Sequence, residues 1–147
     1  MSHPGLEIAI AEARLGLEEG GIPIGSALLI GDEVVGRGHN RRIQRASAIL
    51  HGEMDALEDA GRLPASDYRQ ATIYTTLSPC EMCTGAILLY GIPHVMVGEN
   101  QTFMGAEDRL RHGGVEVEVV DDIRCIELME NFIAANPELW KEDIGET

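Results

Sequence analysis

Two short strings of the sequence contain the residue types that bind zinc and move protons. Residues 51–53 (HGE) supply an imidazole and a carboxylate, and residues 79–83 (PCEMC) supply two thiols. Cysteines three residues apart lie on one face of a helix, and a helix start favours thiolates through its free N–H groups and its dipole. Because two neighbouring thiolates repel each other unless a cation lies between them, we expect one zinc ion here, with His51 as a third ligand.

The proton-carrying group of such a site is expected to be Glu53. Three protein ligands leave one zinc position open, and a catalytic zinc keeps a water there with its pKa lowered to about 7. That water needs a nearby base that is not itself a ligand. Since helix positions i and i+2 point apart, His51 must lie at the very first turn of its helix. Gly52 between them allows a substrate to approach the backbone closely.

The cysteine pair alone has two other interpretations, a redox motif or half of a structural zinc site. A structural site needs a fourth protein ligand, and the candidates are Cys125, His39 and His94. We interpret Cys125 as a small core residue, His39 as a turn residue or a pocket wall, and His94 as a surface residue at the start of a strand. The combined pattern H-x-E…P-C-x-x-C, typical of zinc nucleobase deaminases, favours a catalytic site.

The composition limits the classes of protein that can be considered. We expect one domain over residues 1–147, with 44% hydrophobic and 24% charged residues as in ordinary globular proteins. A net charge of −14 opposes binding to nucleic acid or to a membrane surface. Three cysteines, no signal-peptide pattern and no long apolar run lead us to expect a cytoplasmic protein with reduced thiols.

Hydrophobic spacing predicts the elements of the first half of the chain. A helix over about 4–19 carries an apolar stripe, and strands over 27–30 and 34–35 follow it, joined by a tight turn. Residues 38–50 are predicted to be a loop. A second helix over 52–61 has Met54 and Leu57 on its inner side. The stripe of the first helix consists of Leu6, Ile10, Ala13 and Leu17.

The second half alternates strands with helices. The pattern predicts strands at 72–77, 95–97 and 115–119 and helices at 80–90, 107–111 and from 121 to Pro137. The alternating strand at 115–119 is expected at a sheet edge, because one of its faces is polar. Ile126, Met129 and Ile133 form the inner stripe of the last helix. This order predicts an α/β fold, a three-layer α-β-α sandwich around a mixed five-stranded sheet.

The whole chain resembles the fungal-type cytosine deaminase branch of the cytidine/deoxycytidylate deaminase superfamily. The tail string is particular to the cytosine branch, so the resemblance implies hydrolytic deamination of a free pyrimidine base, cytosine to uracil plus ammonia. Residues 137–147 would form a tail that closes the pocket, and the enzyme would be a homodimer with one zinc per subunit. The matching strings are 36–40 (GRGHN), 50–53 (LHGE), 74–80 (YTTLSPC), 82–87 (MCTGAI), 90–93 (YGIP), 97–100 (VGEN) and 140–146 (WKEDIGE).

The resemblance also implies a role for each residue of the site. Asn40 and the backbone N–H of Gly52 would bind the ring carbonyl, while Asp143 and the backbone carbonyl of Ser78 would accept from the exocyclic amine. Glu53 would shuttle protons. The zinc ligands would be His51, Cys80 and Cys83. The walls around the ring would be Phe103, Trp140, Ile24 and Leu77.

Three of these residues have a plainer interpretation from the residues alone. Asn40 is typical of a turn, and Asp143 lies in a run of solvated charges. Trp140 could be a core residue, but a tryptophan in an acidic tail beyond Pro137 favours a tail that docks.

The sequence departs from the fungal pattern at three places. The strand–turn–strand at 30–35 is two residues shorter, Met54-Asp55 replaces a smaller and less charged pair, and the segment 102–111 differs apart from Phe103. The preferred base therefore stays open to alternatives, namely isocytosine, creatinine or a purine base. A deaminase that edits nucleic acid is opposed by the net charge. A non-catalytic, zinc-stabilised binding protein is opposed by the intact Glu53.

Overall fold

A mixed five-stranded sheet forms the centre of the chain in a computed structural model that describes residues 3–146. Residues 1, 2 and 147, which belong to the expected domain and its tail, lie outside this range. The strand order is β2-β1-β3-β4-β5, with β1 antiparallel to β2 and β3, and with β3, β4 and β5 parallel. The strands are β1 (Gly25–Ile30), β2 (Glu33–His39), β3 (Ala71–Leu77), β4 (His94–Glu99) and β5 (Glu116–Val119).

Helices cover both faces of this sheet, which confirms the predicted three-layer α/β fold. Three short helices, α2, α4 and α8, were not predicted; α2 lies in the stretch interpreted as a loop and α8 in the acidic tail. None of the helices between residues 3 and 146 is long and apolar enough to cross a membrane. The helices are α1 (Pro4–Glu18), α2 (Arg42–Arg45), α3 (Gly52–Ala60), α4 (Ala65–Tyr68), α5 (Glu81–Tyr90), α6 (Glu107–His112), α7 (Ile123–Ala135) and α8 (Pro137–Asp143).

The core is divided between the two faces of the sheet. On one face, Leu6 and Ile10 of α1 pack together with Cys125 of α7. Cys125 is 1% exposed, so its interpretation as a small core residue is confirmed. On the other face, Ile87 of α5 and Leu110 of α6 pack with the central strands. The two helices that carry the zinc-binding strings, α3 and α5, therefore lie on one side of the sheet.

Three predictions about the first half were wrong in detail. Gly38 and His39 belong to β2 and not to a loop, because they pair with β1. Leu17 is exposed, since Gly16 faces the sheet in the last turn of α1 and contacts the His39 ring. Met54 is only half-buried and lines a groove beside α5, whereas the half-buried Leu57 packs against the core as predicted.

Gly36 of β2 allows α3 to pack directly on the sheet. A Cβ at this position would overlap the carbonyl oxygen of Ala56 and would lie 2.8 Å from the Cβ of Ala60. Gly36→Ala should therefore lower the free energy of unfolding by about 1–3 kcal/mol, measured by urea denaturation of the zinc-loaded protein.

Gly85 provides the matched control for this substitution. A Cβ on Gly85, within α5, meets no atom within 4 Å. Gly85→Ala should raise the free energy of unfolding by about 0.5–1 kcal/mol, because alanine loses less backbone entropy in a helix. Equal stability of the Gly36→Ala variant and the wild type would contradict the close packing of α3.

Candidate active site

The first residues of α3 and α5 meet beside the end of β3. His51 is the N-cap residue of α3 and Cys80 is the N-cap residue of α5, and both have extended backbone angles. His51 therefore lies at the helix start, as its spacing from Glu53 predicted. The extended backbone at the cap lets the imidazole and the Glu53 carboxylate share one cavity although they are two residues apart.

The imidazole and the two sulfurs form a compact group of possible metal ligands. His51 Nδ1 lies 3.3 Å from Cys80 Sγ and 3.8 Å from Cys83 Sγ. All three donor atoms lie within 4.8 Å of one another. Ligand atoms at zinc–ligand distances of about 2.0–2.3 Å in a tetrahedral arrangement are about 3.5 Å apart, so these separations fit one zinc ion.

The electrostatics of the two thiols also fit a bound cation. A hydrogen bond from Cys83 and a second one from His51 lower the pKa of Cys80 to about 4. The same hydrogen bond to Cys80, together with burial, raises the pKa of Cys83 well above its usual value. Without a cation between the two sulfurs, only one of them is therefore a thiolate. A divalent cation supplies the positive charge with which both can ionise.

None of the three candidates for a fourth ligand joins this group in the described part of the chain. His39 is fully buried elsewhere, with Nδ1 2.8 Å from Glu12 and Nε2 2.8 Å from Glu19. Its interpretation as a turn residue or a pocket wall was wrong, because α1 covers the end of β2. His94 is partly exposed beside Glu118.

The Glu53 carboxylate lies in the same cavity and is only 4% exposed. Burial, assisted by the negative charge of Cys80, raises the pKa of Glu53 to about 7. A carboxyl group with a pKa near neutrality can accept and return a proton at similar cost.

Two polar side chains from opposite ends of the sequence meet beside the imidazole. Asn40 is fully buried, and its Nδ2 donates to the Asp143 carboxylate at 3.2 and 3.3 Å. Its Oδ1 accepts from the backbone N–H of Arg42 at 3.0 Å, which fixes the orientation of the amide. Asp143 Oδ2 lies 3.4 Å from His51 Nε2. Although burial opposes ionisation, the hydrogen bond with His51 keeps the pKa of Asp143 below its usual value.

These groups open into a small cavity. The Phe103 and Trp140 rings meet edge to face, with centroids 5.8 Å apart, and both line this cavity. Nearly all the residues expected at the site line this cavity or touch a residue that does. The lining residues are Ile24, His51, Glu53, Leu77, Ser78, Cys80, Phe103, Trp140, Asp143 and Ile144.

Asn40, Gly52 and Cys83 are the expected site residues that are absent from this lining. Asn40 contacts it through Asp143, and Cys83 lies behind Cys80 and His51. Gly52 begins α3 directly after His51, and a Cβ there would lie 3.1 Å from the Ile24 carbonyl oxygen.

Two residues of the site were missed by the sequence reasoning. Ile144 follows Trp140 by four residues, and this helical spacing could have identified it. Arg42 holds the tail to the rest of the chain, with Nη1 2.7 Å from Glu142 and 3.1 Å from Asp143. The signal for Arg42 was the pairing of a basic segment with an acidic tail, but sequence alone does not specify which charges pair.

Comparison with known proteins places these features in one family. The family model described as the cytidine and deoxycytidylate deaminase zinc-binding region matches residues 3–99. A cytosine deaminase of Candida albicans is 58% identical over 143 residues, covering 97% of this chain and 95% of the relative. A tRNA-specific adenosine deaminase of Streptococcus pyogenes is 37% identical over 150 residues, covering 92% of both chains.

Solved structures agree with the fold. One from a study of A-to-I editing by tRNA:A34 deaminases has a TM-score of 0.68 at 28% identity, covering 80% of this chain and 97% of that one. A guanine deaminase from Nitrosomonas europaea has a TM-score of 0.73 at 20% identity, covering 91% of this chain and 86% of that one. At this low identity the second structure supports only the fold.

The three-ligand arrangement predicts which cysteines control the zinc content. Cys80→Ala and Cys83→Ala should each purify with far less than one zinc per chain, because two remaining ligands bind weakly. Cys125→Ser is the matched control and should retain its zinc, since Cys125 packs on the opposite face of the sheet. Atomic emission spectroscopy of the purified variants measures the difference. Loss of zinc from Cys125→Ser would show a different ligand set.

Proposed function

The chain belongs to the zinc-binding cytidine and deoxycytidylate deaminase family, and we propose that it hydrolyses free cytosine to uracil and ammonia. It is a zinc-dependent hydrolase of a C–N bond. The observation that carries the assignment of the substrate is the position of the tail. Asp143, from the string particular to the cytosine branch, is buried 3.4 Å from the imidazole of His51.

Zinc would be held by Nδ1 of His51 and by the sulfurs of Cys80 and Cys83. When bound, it supplies a water that is acidic enough to react near neutral pH and a positive charge beside the reacting carbon. His51 Nε2 stays free of this role and lies beside Asp143. The imidazole thus connects the metal group with the group proposed to bind the substrate's amine.

Glu53 is proposed to carry the protons of the reaction. Its carboxylate would take a proton from the attacking water and deliver it to the ring nitrogen N3. Once hydroxide has added to C4, the carboxylate would take the remaining proton from the new C4 hydroxyl and give it to the amine, so that the C4–N bond breaks, the C4 carbonyl forms and ammonia leaves. The pKa of about 7 that burial gives Glu53 suits both directions of transfer.

We propose that the substrate ring is recognised by hydrogen bonds to its carbonyl and to its amine. Asn40 Nδ2 and the Gly52 N–H would donate to the ring carbonyl. The Gly52 N–H is available because the first N–H groups of a helix have no partner within it. Asp143 and the Ser78 carbonyl would accept from the amine. Because Asn40 Nδ2 reaches Asp143 in the described structure, the ring would enter between these two side chains.

The tail 137–147 is proposed to close the pocket over a free base. Trp140 is 7% exposed, packs against Phe103 and lines the cavity, so α8 forms part of the cavity wall. Together with Ile24 and Leu77, these rings would form the apolar walls of a one-ring site. A tail that closes this cavity opposes a nucleoside or a nucleic-acid strand, and the charge of −14 acts in the same direction.

A second copy of the chain is proposed as the partner. A groove between α3 and α5 is lined by half-exposed apolar residues, among them Met54 and Leu57. At its rim, Leu89 is 74% exposed and Tyr90 is 43% exposed. Exposed apolar surface of this kind is typical of a protein interface.

Substitution at the rim tests the homodimer. Leu89→Asp should shift the protein from dimer to monomer in sedimentation-velocity experiments, because it places a charge in the buried interface. Ile123→Asp is the control, since Ile123 is also exposed, at 60%, but begins α7 on the other face of the sheet. A wild-type monomer at micromolar concentration would refute the proposed assembly.

The proposed setting is the cytoplasm. Cys80, Cys83 and Cys125 form no disulfide, and a reducing compartment keeps cysteines in this state. An enzyme that converts a free base into uracil would serve the salvage of pyrimidines.

Ammonia release from a panel of rings tests the proposed substrate. Cytosine should be deaminated in preference to cytidine, isocytosine, creatinine and guanine, and a chelator should abolish the activity. Deamination of cytidine without deamination of cytosine would refute the free-base proposal.

Glu53→Gln, which keeps the shape of the side chain and removes the proton carrier, should retain zinc and lose at least about a hundredfold in kcat. Sustained turnover by Glu53→Gln would refute the role of Glu53.

A further inference from the structure

Two buried carboxylates lie beside the pocket without a role in the chemistry described above. Glu99, the last residue of β4, is fully buried, and Glu107, the first residue of α6, is 2% exposed. A buried carboxylate is stable only when hydrogen bonds replace its lost hydration. The groups that donate hydrogen bonds to each carboxylate therefore show which part of the chain it holds in place.

Glu107 accepts a hydrogen bond from the hydroxyl of Ser78. Ser78 Oγ donates to Glu107 Oε2 at 2.6 Å and accepts from the backbone N–H of Gly105 at 2.9 Å. The Ser78 N–H donates to the Glu99 carbonyl at 3.1 Å. The hydroxyl and the N–H of Ser78 are thus both engaged. Within residues 3–146, no hydrogen bond reaches the Ser78 carbonyl, and Ser78 lines the cavity.

The carboxylate of Glu107 is itself held from a second side. Asn100 Nδ2 donates to Glu107 Oε1 at 3.2 Å, and Arg111 Nη1 lies 3.7 Å from the same oxygen. Because both oxygens are engaged, the carboxylate has one orientation in which it can accept the Ser78 proton. Hydrogen bonds to a charged acceptor are stronger than neutral ones, so this contact limits the rotation of Ser78 more than a neutral partner would.

Glu99 serves a separate part of the same loop. Its carboxylate accepts from the backbone N–H groups of Gln101 at 2.7 Å and Thr102 at 2.9 Å. The segment that leads to Phe103 is therefore anchored by Glu99. Glu107 reaches the amine side of the pocket through Ser78, and through Asn100 it also contacts the start of the loop that Glu99 anchors.

We propose that Glu107 is a positioning residue for the amine-binding side of the pocket. By fixing the Ser78 hydroxyl, it aims the Ser78 carbonyl at the exocyclic amine of the substrate. This inference rests on the proposed deamination of cytosine. It also gives a function to the segment 102–111, in which the sequence departs from the fungal pattern.

Glu107→Gln tests this role, because an amide accepts on one oxygen whereas the carboxylate accepts on two. On its one oxygen the variant can accept from Ser78 or from Asn100 but not from both, so the Ser78 proton or the Asn100 amide loses its acceptor and kcat/KM for cytosine should fall by about tenfold or more. Pyrimidin-2-one, which is cytosine without its amine, should keep its inhibition constant within about twofold, since it has no amine for the carbonyl to meet. A general loosening of the pocket would weaken both ligands.

Ser78→Ala provides a second variant with the same expected pattern. If Glu107 acts through Ser78, the double variant should lose no more kcat/KM than the more affected single variant. Should Glu107→Gln fail to fold, Ser78→Ala decides the question by the same two readouts. Asp108→Asn is the matched control, because it removes the same charge at the next, exposed position of α6. It should leave kcat/KM, zinc content and melting temperature unchanged.

The outcomes separate this inference from the proposed function. A wild-type enzyme that does not deaminate cytosine refutes the function and, with it, the role of Glu107. If the wild type deaminates cytosine, two results refute the role of Glu107 alone. In the first, Glu107→Gln keeps full kcat/KM. In the second, the inhibition constant of pyrimidin-2-one rises by as large a factor as kcat/KM for cytosine falls. Additive losses in the double variant also overturn it.

Discussion

The rest of the structure depends on the repulsion between two neighbouring sulfurs. Cys80 and Cys83 lie side by side, and this contact lowers the pKa of Cys80 and raises the pKa of Cys83. A zinc ion removes this conflict, and it needs the imidazole of His51 at the same point. Two helix starts must therefore meet, and the parallel pairing of β3 with β4, together with the packing of α3 on β2, brings them together.

The pocket is completed by the last part of the chain. Asp143 reaches the imidazole from α8, and Arg42 fixes α8 through Glu142 and Asp143. Trp140 adds an apolar contact with Phe103. The tail is thus held by charges on its outer side and by aromatic rings on its inner side. This combination suits a cover that excludes water from the reacting groups while Asp143 stays ionised.

Some of the acidic side chains of this negatively charged chain lie in its interior. Of its 25 acidic residues, several are buried, and most of these accept hydrogen bonds from other parts of the chain. The buried Glu12 and the more exposed Glu19 enclose His39 next to Asn40, and Glu107 holds Ser78. These contacts lie one layer outside the proposed substrate contacts. They give the polar groups of the pocket fixed directions before a ligand enters, which lowers the cost of binding.

The sequence by itself determined the features that depend on neighbours along the chain. The spacing of residues 51–53 and 80–83 predicted the zinc group, and hydrophobic periods predicted the five strands and the long helices. The tertiary structure decided what depends on distant partners. Asp143, which resembled a solvated charge, is buried because Asn40 and Arg42, about a hundred residues away, enclose it. His39 and Glu107 likewise owe their places to contacts between elements, because burial and ion pairing are set by packing and leave no period in the sequence.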